Sequence, residues 1–412
     1  MPDGRSLVIL IAPNVSEQMG GEAIKALQIF REIKKQRPNT LQISHGRCRK
    51  DIERLAIADV NFIEDTPFSL LLWRSRIFRW ALDPWFAIKA VSLAAKIARE
   101  RGLTGNQVII HQTLPNSPVV PRFVSHGHCN VFGPINGNIY YPTLFRKHES
   151  VKNRFRRIFH VPAQIINRCF FHGKTWADAV IYAGGERTKR SLLAGGYRAS
   201  SLISTFDSGV DDEILDKERI KQSGKNLRFV HYGRLVFHKG TALVIEAMAL
   251  TRLPITLDII GQGPELARCH QLVNHLNLGS RINFIDWFPS HADLLSRLTQ
   301  YRGMILPTFE DANGIVVQEA MAIGIPPICL DWGGPQLLIE DGLSGFLIKP
   351  SSIKEIVESI AECMDQLAED ALIAEKISKS ARATAEKWRW SVLASSWISI
   401  YDSLLDTRYA GY

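Results

Sequence analysis

Cysteine is scarce in this chain and badly spaced for any cross-linking role. The six cysteines, at 48, 129, 169, 269, 329 and 363, form no Cys-x-x-Cys pair. Neither a zinc site nor a disulfide framework is implied, and a reducing cytosol suits them. Long apolar runs are missing too. Nothing approaches the roughly 18 continuous residues of a membrane span. The run Leu7–Ala12 is short and reads as a buried strand rather than a targeting segment. No Asp-x-Asp metal motif is present, and no clean G-x-G-x-x-G follows the first strand with an acidic residue suitably downstream. The second absence argues against a nicotinamide-dependent oxidoreductase. Internal repeats, low-complexity tracts and recognised nucleic-acid-binding motifs are absent as well.

What remains is ordinary in amount and informative in arrangement. At 412 residues the chain is too long for one ordinary core, so two domains are the default. An apolar share of 46% and a charged share of 22% fit a globular protein. The net charge of +9 asks for an anionic partner: nucleotide phosphates, anionic lipid or nucleic acid. The N-terminal half opens with the strand SLVILIAP, a loop containing Gly20-Gly21, and a helix from about Glu22 to Gln36. Strand, glycine loop and helix in that order make a Rossmann-like first unit. A later strand ends in His111, and Phe132–Gly137 reads as another strand exit, where open α/β sheets bind ligands. Strands alternating with helices from about residue 206 onward argue for a second parallel sheet.

The richest stretch runs from Glu310 to Gly345. Asp311 and Glu319 stand eight apart across a loop that turns into a helix. Asn313-Gly314 reads as the N-cap region, Ile315 to Met321 as a good helix, and Gly324 with Pro326 as its stop. Backbone N–H groups and the positive dipole end at Asn313, Gly314, Ile315 and Val316 would seat a phosphate. Glu310, Asp311 and Glu319 around that seat suit sugar hydroxyls. Arg234 and Lys239, in GRLVFHKG just past a strand, would stabilise a departing diphosphate, Arg by holding two oxygens and Lys as a mobile charge.

This stretch resembles the signature of the retaining glycosyltransferases of family 4, which have the GT-B fold. The matching residues are Asp311, Glu319-Ala320-Met321-Ala322, Gly324-Ile325-Pro326 and Gly333-Gly334. Two positions depart: Asp311 stands where Glu is usual, and Leu337 where a glutamate often follows the glycine pair. Phe206–Asp211 is similar to the family's Asn-Gly-Val-Asp linker, with Ser208 for Asn. The resemblance implies an α/β architecture of two Rossmann-like domains facing each other across a cleft. Residues 1–205 would form the acceptor-side domain and 206–385 the nucleotide-sugar domain, with 386–412 a helix returning to the first. It implies that Arg234 and Lys239 bind diphosphate, that Glu319 holds the ribose hydroxyls and that Asp311 holds those of the donor sugar. His111 would lie near that sugar, Gly20 and Gly21 near the donor phosphates, and Asn136 and Gly137 on the acceptor side. The Gly261-x-Gly263 turn would frame the base. No cofactor or metal is expected, the nucleotide sugar being a substrate, and front-side substitution would retain the anomeric configuration.

Two further stretches bear on location. Leu70–Trp85 mixes tryptophans and aliphatics with Arg74, Arg76, Phe78 and Arg79, and Phe145–Arg157 is basic with interleaved phenylalanines. Both suit an anionic bilayer surface. The expectation is therefore a cytoplasmic enzyme, peripheral at the inner face of the plasma membrane, that moves a sugar from a nucleotide-diphosphate donor to a saccharide or lipid-linked glycan. Exopolysaccharide, lipopolysaccharide or another glycolipid pathway would suit, and nucleic acid is not an expected partner. The alternative is a non-catalytic nucleotide- or membrane-binding relative within a polysaccharide synthase complex. Intact Arg234, Lys239 and Glu319 weigh against that alternative.

Overall fold

Two parallel sheets organise the computed structural model, which describes residues 6–75 and 79–409. Arg76 and Phe78 of the aromatic-basic stretch lie outside the described residues. The chain divides into two units. The first takes residues 1–138, 155–208 and 390–412, and the second takes 139–154 and 209–389. Residues 139–154 thus group with the second unit, an exchange that the sequence-derived boundaries do not contain.

The first unit carries seven strands: β1 (Leu7–Ile11), β2 (Thr40–His45), β3 (Val60–Ile63), β4 (Val108–Gln112), β5 (Cys129–Ile135), β6 (Ala179–Tyr182) and β7 (Leu202–Ser204). They pair in parallel in the order β3-β2-β1-β4-β5-β6-β7. Every residue of β1 is buried. The continuous run LVILI follows from a strand covered on both faces, which has no polar side to alternate with. Val8 and Leu10 pack under the Gly21–Gln36 helix and the final helix, Trp390–Tyr409. Leu7, Ile9 and Ile11 pack under the Leu82–Glu100 helix on the opposite face. Trp397 and Tyr401 of the final helix are fully buried there. Side chains of that size contribute about 2–3 kcal/mol each.

The second unit carries β8 (Arg228–Tyr232), β9 (Thr256–Ile260), β10 (Ile282–Ile285), β11 (Gly303–Leu306), β12 (Pro327–Leu330) and β13 (Phe346–Ile348). Their order is β10-β9-β8-β11-β12-β13, again all parallel. In both sheets the strand order reverses beside the unit's first strand, at β1/β4 and at β8/β11. Loops leaving the C-terminal ends of such a pair diverge and leave a crevice, the usual ligand position in open α/β sheets.

The exchanged segment is held in the second unit by aromatic packing. Phe145 stacks on Phe309 with ring centroids 4.3 Å apart, Tyr141 meets the same ring edge-on at 4.8 Å, and the Trp332 indole donates to the Tyr140 carbonyl at 2.9 Å. Phe145 is 3% exposed. It belongs to a core, which corrects its expected place in a membrane-facing stretch.

Candidate functional site

At the β8/β11 switch point the loop after β8 supplies Lys239 and the loop after β11 supplies Asp311. Lys239 Nζ lies 2.6 Å from Asp311 Oδ2, with both side chains less than one-fifth exposed. The other carboxylate oxygen accepts from the backbone N–H of Gly314 at 3.2 Å and of Asn313 at 3.4 Å. Burial opposes ionisation of Asp311. The Lys239 charge and hydrogen bond, with the two N–H donors, outweigh burial and hold its pKa below the ordinary carboxylate value. Asp311 therefore joins the Lys239 cation to the start of the Ile315–Ile323 helix.

That helix begins one residue later than Asn313 would place it. Its N-cap is Gly314, at φ 71° and with no side-chain cap. A left-handed residue is needed to turn the chain into the helix, and glycine adopts it without steric cost. Asn313 as side-chain N-cap is thus corrected: its own N–H and that of Gly314 donate to Asp311 just before the helix, which has no side-chain cap. The first N–H groups of a helix have no intrahelical partner. Ile315 and Val316 are the first two residues of this helix, so their N–H groups are among those donors.

Glu319 lies one helical turn further on and is 12% exposed at its side chain. His291 Nε2 sits 3.0 Å from its Oε1, and the Tyr232 hydroxyl donates to Oε2 at 3.4 Å and to the Val316 carbonyl at 2.7 Å. The Glu319 hydrogen bond raises the pKa of His291 against the opposing effect of burial. Burial, reinforced by Glu319, pushes the Tyr232 hydroxyl well above its ordinary value, so it remains a donor. Sequence reading missed both partners. Tyr232 ends β8 directly before the Gly233 loop, a signal that could have been used. His291 comes from the connection after β10, and no local pattern marks it.

Glu310, adjacent to Asp311, faces a different set. Its carboxylate accepts from Asn153 Nδ2 at 3.2 Å and lies 3.7 Å from His238 Nδ1. It also bonds the Tyr141 hydroxyl, whose pKa is pushed up to about 12 by burial and by Glu310. This carboxylate ties the exchanged segment to the loop after β11. Arg234 is exposed, and among the described residues no carboxylate pairs with it. A Cβ on Gly263 would stand 2.1 Å from the Leu235 carbonyl oxygen. Glycine there lets the loops after β8 and β9 touch backbone to backbone.

The first unit distributes its expected residues otherwise. His111 lies within β4, opposite Leu10 of β1, and is fully buried. Its Nε2 meets the Gly133 carbonyl oxygen at 2.6 Å and its Nδ1 the Tyr401 hydroxyl at 2.6 Å. A carbonyl can only accept, so Nε2 carries the proton and Nδ1 accepts from Tyr401. Burial drives the ring pKa down to about 3, leaving it neutral. Both nitrogens are committed inside the core. His111 was expected near the donor sugar; its ring is instead committed inside the core, where it fastens the final helix to the sheet.

Asn136 is buried too. Its amide donates to Asp207 Oδ2 at 3.1 Å, and Lys25 Nζ reaches the same oxygen at 3.3 Å. The Gly137 carbonyl accepts from Arg187 Nε at 3.1 Å. These two residues brace the exit of β5. Gly20 caps the Gly21–Gln36 helix with φ 95°, and neither it nor Gly21 is crowded within 4 Å, so the start of that helix is open. Beside the C-terminal ends of β1 and β2 a concavity is lined by Asn14, His45, Arg47, Trp73, Asp83 and Trp85.

Comparison with known proteins places this geometry. Residues 212–384 match the family described as glycosyl transferases group 1. The alpha-D-kanosaminyltransferase of Streptomyces kanamyceticus is 29% identical over 50% of this chain and 53% of its own length. The N-acetyl-alpha-D-glucosaminyl L-malate synthase of Bacillus anthracis is 26% identical over 49% of this chain and 54% of its own. The chain therefore spans about half the length of these curated relatives. Among solved structures, Anabaena HepE in complex with UDP aligns over 96% of this chain and 100% of its own, with a TM-score of 0.65 and 18% identity. Likeness of that kind establishes the fold. With its two parallel-sheet units and its likeness to HepE, the chain has the GT-B fold, and its residues 212–384 are similar to the glycosyl transferases group 1.

Proposed function

We propose that the protein is a retaining glycosyltransferase that moves a sugar from a nucleotide-diphosphate donor to a saccharide or lipid-linked glycan. The observation that carries this reading is the arrangement at the β8/β11 switch point. A cation, a carboxylate bonded to it and a helix start without a side-chain cap come together there. The donor's diphosphate would lie on the Ile315 and Val316 N–H groups, with Lys239 and Arg234 meeting the charge that grows as the glycosidic bond breaks. Glu319, fixed by His291 and Tyr232, would accept from the ribose hydroxyls. Asp311 would accept from a hydroxyl of the donor sugar, released toward it as Lys239 turns to phosphate. In front-side substitution the acceptor oxygen forms its new bond on the face from which diphosphate leaves. A donor phosphate oxygen takes the acceptor's proton, and the protein contributes positioning and charge.

The sugar transfers printed in the names of the two curated relatives, and the UDP in the HepE complex, support the donor class. The test combines a thermal-shift panel of UDP-, GDP- and ADP-sugars, with NAD and NADP as controls, and Lys239→Ala. One sugar nucleotide should stabilise the protein, and the variant should lose about 100- to 1000-fold in turnover. Near-normal turnover in a folded variant, or stabilisation by NAD alone, would remove the reading.

A further inference from the structure

The helix Val151–Phe170 is built inside out. Its buried residues are Gln164 and Asn167, both polar. The Gln164 amide donates to the Pro118 carbonyl at 2.8 Å and to Ser191 Oγ at 2.9 Å, and its oxygen accepts from Lys174 Nζ at 2.9 Å. Asn167 donates to the Val119 carbonyl. Hydrogen bonds, not a greasy seam, hold residues 155–170 of this helix to the first unit.

The opposite face is apolar and turned to solvent. Phe155 is 60% exposed, Ile158 55%, Phe159 45%, Ile165 51%, Ile166 56% and Phe170 74%. At 100° per residue these fall within an arc of about 140°. A soluble surface does not normally leave such a contiguous stripe uncovered. On the same wheel Arg154 and Arg156, both exposed, flank the stripe at about 100° to either side of Phe155. Among the described residues no helix is long and apolar enough to cross a membrane.

We infer that this helix lies in the plane of an anionic bilayer, its apolar stripe among the acyl chains and its flanking arginines at the lipid phosphates. A second copy of this chain would cover the stripe but would set two arginine rows against each other. The net charge of +9 favours an anionic surface instead. Sequence reading put the membrane patch at Phe145–Arg157. The structure removes Phe145 to a core and shifts the patch toward Phe170.

The test is flotation of the full chain with phosphatidylcholine–phosphatidylglycerol vesicles and with phosphatidylcholine alone, beside light scattering without lipid. The wild type should float with the anionic vesicles. Arg154→Gln with Arg156→Gln should cut that partitioning about thirtyfold. Ile158→Ser, Phe159→Ser and Ile166→Ser together should cut it at least about a hundredfold. All five side chains are exposed or point off the core, and nucleotide-sugar stabilisation measured on the same preparations reports their folding and the transferase reading separately. An unlipidated wild type that fails to float, or a triple variant that floats as well, would overturn the inference. So would a wild-type dimer that the triple variant converts to monomer without any vesicle binding.

Discussion

Replacing Asp311 with Asn isolates one charge at the switch point. The amide oxygen can still accept from the Gly314 N–H, now 3.2 Å from Oδ1, so the turn before the helix keeps that contact. What disappears is the charge 2.6 Å from Lys239 Nζ. Breaking a fully buried pair costs about 3–5 kcal/mol. With both side chains somewhat under one-fifth exposed, water recovers part of that, so about 2–4 kcal/mol is expected. For a unit of this size the melting temperature should fall by about 5–12 °C. Affinity for a free nucleoside diphosphate should move the other way. A phosphate charge at about 6 Å from Asp311 is repelled by roughly 2–3 kcal/mol at an effective dielectric of about 20. Screening reduces this, and binding should tighten about 5- to 30-fold while sugar transfer falls. The pH dependence fixes the sign. Asp311 has a folded-state pKa below its unfolded one, so its contribution is present above the unfolded value. It is lost as pH falls through the folded value, below about pH 4. Thermal melts of both proteins from pH 7 to 3, with and without UDP or GDP, decide the matter. Equal melting at neutral pH, or a gap that does not begin to narrow as pH falls from 7 to 3, would refute the reasoning.

His111→Ala removes two buried hydrogen bonds and leaves a cavity against Tyr401. It should cost about 2–4 kcal/mol in chemical denaturation while leaving nucleotide-sugar affinity unchanged; a lost affinity in a fully folded variant would restore the ring to the donor site. Glu319→Gln keeps the shape and removes the charge. The His291 pKa, raised by Glu319, should fall toward the ordinary histidine value by NMR titration, and donor affinity should weaken about tenfold. A histidine with a raised folded pKa stabilises below its unfolded value and loses that contribution as pH climbs through the folded one. The wild type should therefore show that loss as pH climbs above the ordinary histidine value, and the variant should not.

The sequence by itself determined what depends on neighbours along the chain. Continuous apolar runs such as LVILI could only be strands covered on both faces, and their alternation with helices gave two parallel sheets. The strand exit that carries Arg234 and Lys239 and the helix start between Asp311 and Glu319 were legible because such boundaries are a local property. Tertiary structure decided which groups meet across that spacing. His111 ends an apolar run in the sequence, yet its strand lies in the middle of a sheet under Tyr401, from almost three hundred residues later, and both nitrogens are consumed. The Lys239–Asp311 pair joins the connections after β8 and β11, and the His291–Glu319 pair joins two helices, and hydrogen-bond partners at that separation leave no trace in local pattern. Residues 139–154 were read as part of the first domain because they follow its fifth strand. They group with the second because Phe145 and Tyr141 bury their rings on Phe309. Burial is the sum over everything that surrounds a side chain, and only the folded chain performs that sum.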